Sequence, residues 1–124
     1  FGRNFVAVLP AQTKVLGYYT ISSGSVAFDA LPENAPRYPI PTAHLGRLAT
    51  DLTMRGQGLG ELLLIDALAR IATIADELGI YAVELFALNE NAKKFYLRYG
   101  FTALIDDEKH LYLPVATLKK SGLV

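Results

Sequence analysis

Three glycines at alternate positions in Met54-Arg55-Gly56-Gln57-Gly58-Leu59-Gly60 leave a row of backbone N–H groups without side-chain cover. Glycine tolerates positive φ and lets a ligand come close to the main chain. A long apolar segment follows at once, so the same N–H groups lie at the positive end of a helix dipole. A turn of this kind binds anions, phosphates above all. Arg55 adds a cation at its entrance.

Few other residues offer chemistry. Cysteine is absent, which excludes disulfides, thiolate zinc sites and acyl-cysteine intermediates. His44 and His110 stand far apart with no metal-ligand spacing around them. Each reads as a surface or packing residue rather than a catalytic base. Glu84 lies in a strand-like run and suits either a base acting through water or a carboxylate at the sheet margin. The net charge is zero, from 12 basic and 12 acidic residues. That speaks against a wholly basic nucleic-acid binder and leaves room for a local patch. Arg37, Lys93, Lys94 and Arg98 are the residues that would form one, or else a solvated helix face.

These side chains need elements to position them. The 124 residues suit a single domain, 1–124, large enough to bury a core without staples. Hydrophobic residues make up 52%, too many for disorder, and no apolar run reaches membrane-spanning length. The first residues lack the layout of a signal peptide, so a cytoplasmic location with no membrane contact is expected. The chain starts at Phe1 and opens almost directly into a strand, which reads as a fragment.

Residues 5–9 and 15–22 alternate as two strands of a hairpin. Residues 23–42 read as a long loop, with Pro32, Pro36, Pro39 and Pro41 excluding a central strand. A strand over 45–50 leads into the glycine turn. From 60 to 78 the pattern is helical, with Leu59, Leu62, Leu63, Ala67, Ile71, Ile74 and Leu78 as its apolar face and Gly79 as its C-cap. Residues 80–88 follow as a buried strand, and strand–helix–strand order implies a parallel pair. Asn89 caps a shorter helix over 90–99, closed by Gly100. Two last strands, 101–105 and 110–117, flank the acidic turn Asp106-Asp107-Glu108.

Three phosphate-binding patterns can be tested on the glycine turn. A dinucleotide fingerprint needs glycine at its sixth position, where this chain has Glu61 or Leu63. A Walker loop needs Gly-Lys-Ser/Thr, and the turn has no lysine. The remaining pattern, Arg-x-x-Gly-x-Gly at Arg55, Gly58 and Gly60, resembles the coenzyme A pyrophosphate loop of the GNAT acetyltransferases. A second block, from Asn89 through Ala92 and Tyr96 to Gly100-Phe101, resembles that family's Asn-x-x-Ala-x-x-x-Tyr…Gly-Phe signature, one helix and one strand later.

The resemblance implies an α+β GNAT fold: a mixed, centrally splayed sheet with helices on both faces, here lacking its N-terminal strand and helices. It implies acetyl-CoA as donor, held by Arg55, Gly56, Gln57, Gly58, Leu59 and Gly60, by the strand backbone of Leu48, Ala49 and Thr50, and by Asn89 and Phe95. Tyr96 matches the family tyrosine that faces the coenzyme sulfur, and its phenol is the expected general acid. With no cysteine and no Gly-x-Ser-x-Gly elbow, direct transfer in a ternary complex is expected. Residues 16–22, 37–41, 45–49 and 111–118 resemble the GNAT toxins of bacterial toxin–antitoxin pairs, which acetylate the α-amino group of aminoacyl-tRNA. That subgroup implies charged tRNA as acceptor, met by Arg37, Lys93 and Arg98. It also implies a ribbon–helix–helix antitoxin as partner and leaves room for a homodimer. Two alternatives stand beside it: a GNAT acting on a small amine or protein N-terminus, and a non-catalytic acyl-CoA-binding module.

Overall fold

Alternating apolar residues build the first hairpin, β1 (Gly2–Val8) against β2 (Val15–Val26), with Gly2 opposite Ser22 and Val8 opposite Val15. The computed structural model describes residues 2–8, 15–26, 40–50 and 58–124. The second strand pairs antiparallel with β3 (Ile40–Thr50). From there α1 (Leu59–Leu78) crosses to β4 (Ala82–Phe86), which lies parallel to β3. After α2 (Glu90–Leu97) come β5 (Thr102–Ala103), β6 (His110–Pro114) and α3 (Val115–Lys120). Among the described residues the strands form one six-stranded sheet in the order β1-β2-β3-β4-β6-β5.

Three expectations need correction. The segment expected as loop over 23–42 is strand at both ends, because β2 runs on to Val26 and β3 begins at Ile40. Pro41 therefore sits in a central strand. It lacks an N–H, but its carbonyl accepts a hydrogen bond from the Tyr81 amide at 2.9 Å, so the ladder loses little there. Secondly, Leu62 and Leu78 are exposed, while Leu64, Leu68 and Ala75 are buried. The buried stripe of α1 is rotated from the expected face, since Leu64, Ala67, Leu68, Ile71 and Ala75 share one side at three- and four-residue steps. Thirdly, the last strand ends at Pro114, and residues 115–120 turn into a helix where a strand was expected to 117. Val115 and Leu118, one turn apart, are buried by it.

Alternation along the strands separates two cores. Ala43, Leu45, Val83, Leu85, Leu111 and Leu113 face the larger one, to which α1, α2 and α3 all contribute. Ile40, Ala82 and Tyr112 face the opposite side, with Val26 and Leu104. By the same period of two, Thr42 and His44 of β3, Glu84 of β4 and His110 of β6 belong to that second face. Leucine and isoleucine dominate the first, and buried polar groups collect on the second.

The parallel ladder between β3 and β4 is short. It pairs Thr42 with Ala82, Ala43 with Val83 and His44 with Glu84, and goes no further among the described residues. Beyond that point β3 stays with β2 as far as Thr50, and β4 stays with β6 as far as Phe86. The two central strands thus diverge after the His44–Glu84 pair, opening a wedge with free backbone on its inner edges.

Candidate active site

On one side of the wedge lies the start of α1. Gly58 takes a left-handed conformation (φ 79°) as the N-cap, and no side chain caps this end. Only glycine adopts that φ without strain. The Leu62 amide bonds back to the Gly58 carbonyl at 3.1 Å, so the preceding amides of the first turn have no intrahelical acceptor. A twenty-residue helix therefore presents its positive end, led by Gly58, Leu59 and Gly60, at the mouth of the wedge. Arg55, Gly56 and Gln57, and likewise Arg37, lie outside the described residues.

Close backbone approach holds this corner together. A Cβ added to Gly17 of β2 would lie 2.8 Å from the Ala49 carbonyl oxygen and 3.3 Å from the Leu59 side chain. Gly17 pairs with Thr50, Tyr18 with Ala49 and Tyr19 with Leu48. The edge of Leu48, Ala49 and Thr50 that faces β4 makes no ladder with it. These are the three residues expected to meet a peptide-like arm.

The two sequence signatures meet in space. Phe95 of α2 sits against the start of α1, where a Cβ on Gly60 would be 4.0 Å from the ring. Its ring also packs edge-on against Tyr96 at 5.1 Å and tilted against Tyr99 at 5.3 Å. Tyr96 is buried in the larger core with its ring edge-on to Phe101, and burial pushes its phenol up to about 12. The proton is therefore held firmly at neutral pH. Asn89 caps α2, its side-chain oxygen accepting from the Ala92 amide at 2.9 Å. Arg98 is exposed, its guanidinium 5.7 Å from the centroid of the Phe95 ring, and Lys93 and Lys94 lie on the same short helix.

The opposite face carries a cluster that sequence reasoning missed. Glu84, only 5% exposed, receives His44 Nδ1 at 2.5 Å on one carboxylate oxygen and His110 Nε2 at 2.7 Å on the other. The other nitrogen of His110 meets Asp106 at 3.0 Å, and its ring stacks on Phe86 at 4.0 Å. His44 and His110 are thus members of one network, not separate packing residues. Glu84 is interior to the sheet, not at its margin. Burial works to raise the Glu84 carboxyl, but the hydrogen bonds from His44 and His110 outweigh it and hold it below its ordinary value. The bond to Glu84 raises His44, against an opposing effect of burial. The only signal in the sequence was strand parity, and it needs the register of three strands to be read.

Residues 4–103 match the acetyltransferase (GNAT) domain family. A tRNA-acetylating toxin of Mycobacterium tuberculosis is 39% identical over 103 residues, covering 81% of this chain and 62% of that protein. Among solved structures, AtaT complexed with acetyl-methionyl-tRNAfMet superposes with a TM-score of 0.80 at 34% identity, over 86% of this chain and 66% of that one. A Tyr-to-Phe mutant of the AtaT toxin, bound to the C-terminus of the antitoxin AtaR and acetyl-CoA, gives a TM-score of 0.72 at 32% identity, over 86% and 62%. The chain spans somewhat under two thirds of the length of these relatives. The chain belongs to the GNAT acetyltransferase family. No described helix is long and apolar enough to cross a membrane.

Proposed function

We propose that the protein is an acetyl-CoA-dependent N-acetyltransferase that acetylates the α-amino group of aminoacyl-tRNA. In this reading it serves in the cytoplasm as the toxin of a toxin–antitoxin pair, with a ribbon–helix–helix antitoxin as partner. One observation supports the donor half: the uncapped start of α1 lies beside the end of β3 that has left β4, and Phe95, packed on Tyr96, lies against that helix start. The acceptor half is supported by the relatives, one named a tRNA-acetylating toxin and another solved with acetyl-methionyl-tRNAfMet.

The residues present suit coenzyme A. Amides at Gly58, Leu59 and Gly60, extended by Arg55, Gly56 and Gln57, would hold its pyrophosphate as a helix N-terminus holds anions. Main-chain groups of Leu48, Ala49 and Thr50 would pair with the amides of its pantetheine arm, in the manner of an added strand. Phe95 would form the apolar wall of this channel, and Asn89 keeps α2 in place beside it. When bound, acetyl-CoA supplies an electrophilic thioester carbonyl and a thiol leaving group. Tyr96, a neutral phenol that burial raises further, would deliver its proton to the departing sulfur. Arg37, Lys93 and Arg98 would meet the acceptor's phosphates.

The test is direct. Full-length protein is incubated with acetyl-CoA and charged tRNA, and mass spectrometry follows N-acetyl-aminoacyl product. Absence of product across all tRNAs sinks the toxin reading.

A further inference from the structure

Acetyl transfer needs a neutral amine, and an α-ammonium group must shed a proton before it can attack. Tyr96 lies in the larger core, on one face of the sheet. On the other face, at the vertex where β3 and β4 part, stand His44 and Glu84. We propose that His44 takes the proton of the acceptor amine, with Glu84 and His110 as the residues that position it.

Four observations carry this. His44 and Glu84 are the last paired residues before the wedge opens, so they are adjacent to any group lodged there. Glu84 contacts Nδ1 of His44, which assigns the proton to Nδ1 and leaves the lone pair on Nε2. No hydrogen bond reaches that Nε2 among the described residues, and the side chain is 30% exposed while Glu84 and His110 are 7% and 9%. The carboxylate itself is enclosed, so it positions His44 and does not meet the acceptor. Gly24 of β2 lies over it, and a Cβ there would come 3.2 Å from Glu84 Oε1 and 3.0 Å from Thr42 Oγ1. Thr42 Oγ1 is itself buried with no hydrogen-bond partner. A buried hydroxyl left unpaired costs stability.

Among the described residues, the network draws on three strands and one turn. From β4 comes Glu84, from β3 His44 and Thr42, and from β6 His110. Asp106 comes from the turn before β6 and bonds His110. Among the described residues no lysine or arginine bonds to it. His110 meets carboxylates at both nitrogens, Asp106 at one and Glu84 at the other.

The step balances. One ammonium proton moves to His44 Nε2, and the freed nitrogen lone pair forms the N–C bond to the acetyl carbon. The C–S bond breaks, its electrons leave on sulfur, and sulfur takes the Tyr96 proton. The second amine proton restores the phenol, and His44 releases the first to solvent.

The inference rests on the transfer reading above, so the experiment uses two acceptors, charged tRNA and a free aminoacyl amide, with thiol release followed against pH. The proposal expects His44→Gln to lower kcat by about 10²- to 10⁴-fold on whichever acceptor is turned over, with acetyl-CoA affinity unchanged. It expects Glu84→Gln to move the rising limb of the kcat–pH profile to lower pH, a change that a purely structural role does not produce. Unchanged affinity and circular dichroism certify that each variant is folded. Activity on the amide alone overturns the tRNA acceptor and leaves His44 tested. A His44→Gln enzyme with wild-type kcat and profile overturns the base. Wild-type protein that binds acetyl-CoA yet acetylates neither acceptor overturns both.

Discussion

The two sides of the sheet are built on different principles. On the side proposed to hold the donor, the wedge is built from main chain: an uncapped helix start, a strand edge with no ladder to β4 among the described residues, and a glycine that lets backbones approach. On the other face it is side chains that meet, four ionisable residues from three strands and a turn gathered around one buried carboxylate. Backbone sites tolerate sequence change as long as the glycines stay. A side-chain network fails when one member goes, because the others are left buried and unpaired.

The contrast can be broken experimentally. The largest effect belongs to the chemistry at the border of the two sides. Tyr96→Phe keeps the ring that packs on Phe95 and Phe101 and removes only the hydroxyl. It should lower kcat by about 10²- to 10⁴-fold, or about 3–5 kcal/mol, with acetyl-CoA affinity held in calorimetry. Normal turnover would show that Tyr96 only packs.

Next in size is Glu84→Ala. It strips both histidines of a buried partner and should cost about 3 kcal/mol in urea unfolding. A loss below about 1 kcal/mol would mean that the network is not a unit. On the donor side, Gly17→Ala forces a methyl to within 2.8 Å of the Ala49 carbonyl. It should destabilise by about 1–3 kcal/mol and weaken acetyl-CoA binding more than Glu84→Ala does. Equal effects on binding would erase the distinction between the two sides.

The smallest effect is a pH dependence. His44 is raised from its ordinary 6.5, so its contribution is present at lower pH and is lost as pH rises through the folded value. Glu84 is lowered from 4.5, so its contribution is present above that pH and is lost as pH falls through the folded value. The pair should therefore contribute most between about pH 4.5 and 6.5. Because His44 is half-exposed, its alkaline loss should stay below about 1 kcal/mol. Urea midpoints of wild type and His44→Gln compared across pH 5–9 check it, and parallel curves contradict it.

The start of α1 was legible beforehand. Gly58 and Gly60 are a local pattern that needs only the helix that follows, whereas Arg55 lies outside the described residues. The Asn89–Phe101 block was equally local, and its Asn89 cap and Phe95 ring sit where a short helix beside the first must place them. Errors arose where a residue's neighbours came from elsewhere. Pro41 was read as barring a central strand, yet Tyr81, forty residues on, needs only its carbonyl. Leu62 and Leu78 fitted a helical period, but the sheet beneath selected the stripe through Leu64 and Leu68. Val115 and Thr117 favour strand by themselves, and the helix forms there to bury Val115 and Leu118.

What the sequence determined by itself is the helix that Gly58 leads and the tyrosine block, because each depends on contacts within a few residues. What only the tertiary structure decided is the meeting of His44, Glu84 and His110. Strand parity puts each on a definite face, but the register that aligns them is set by pairing energies summed along whole strands. A one-residue slip of β3 or β6 would turn its histidine away from Glu84, and nothing near His44 or His110 in the chain records which register wins.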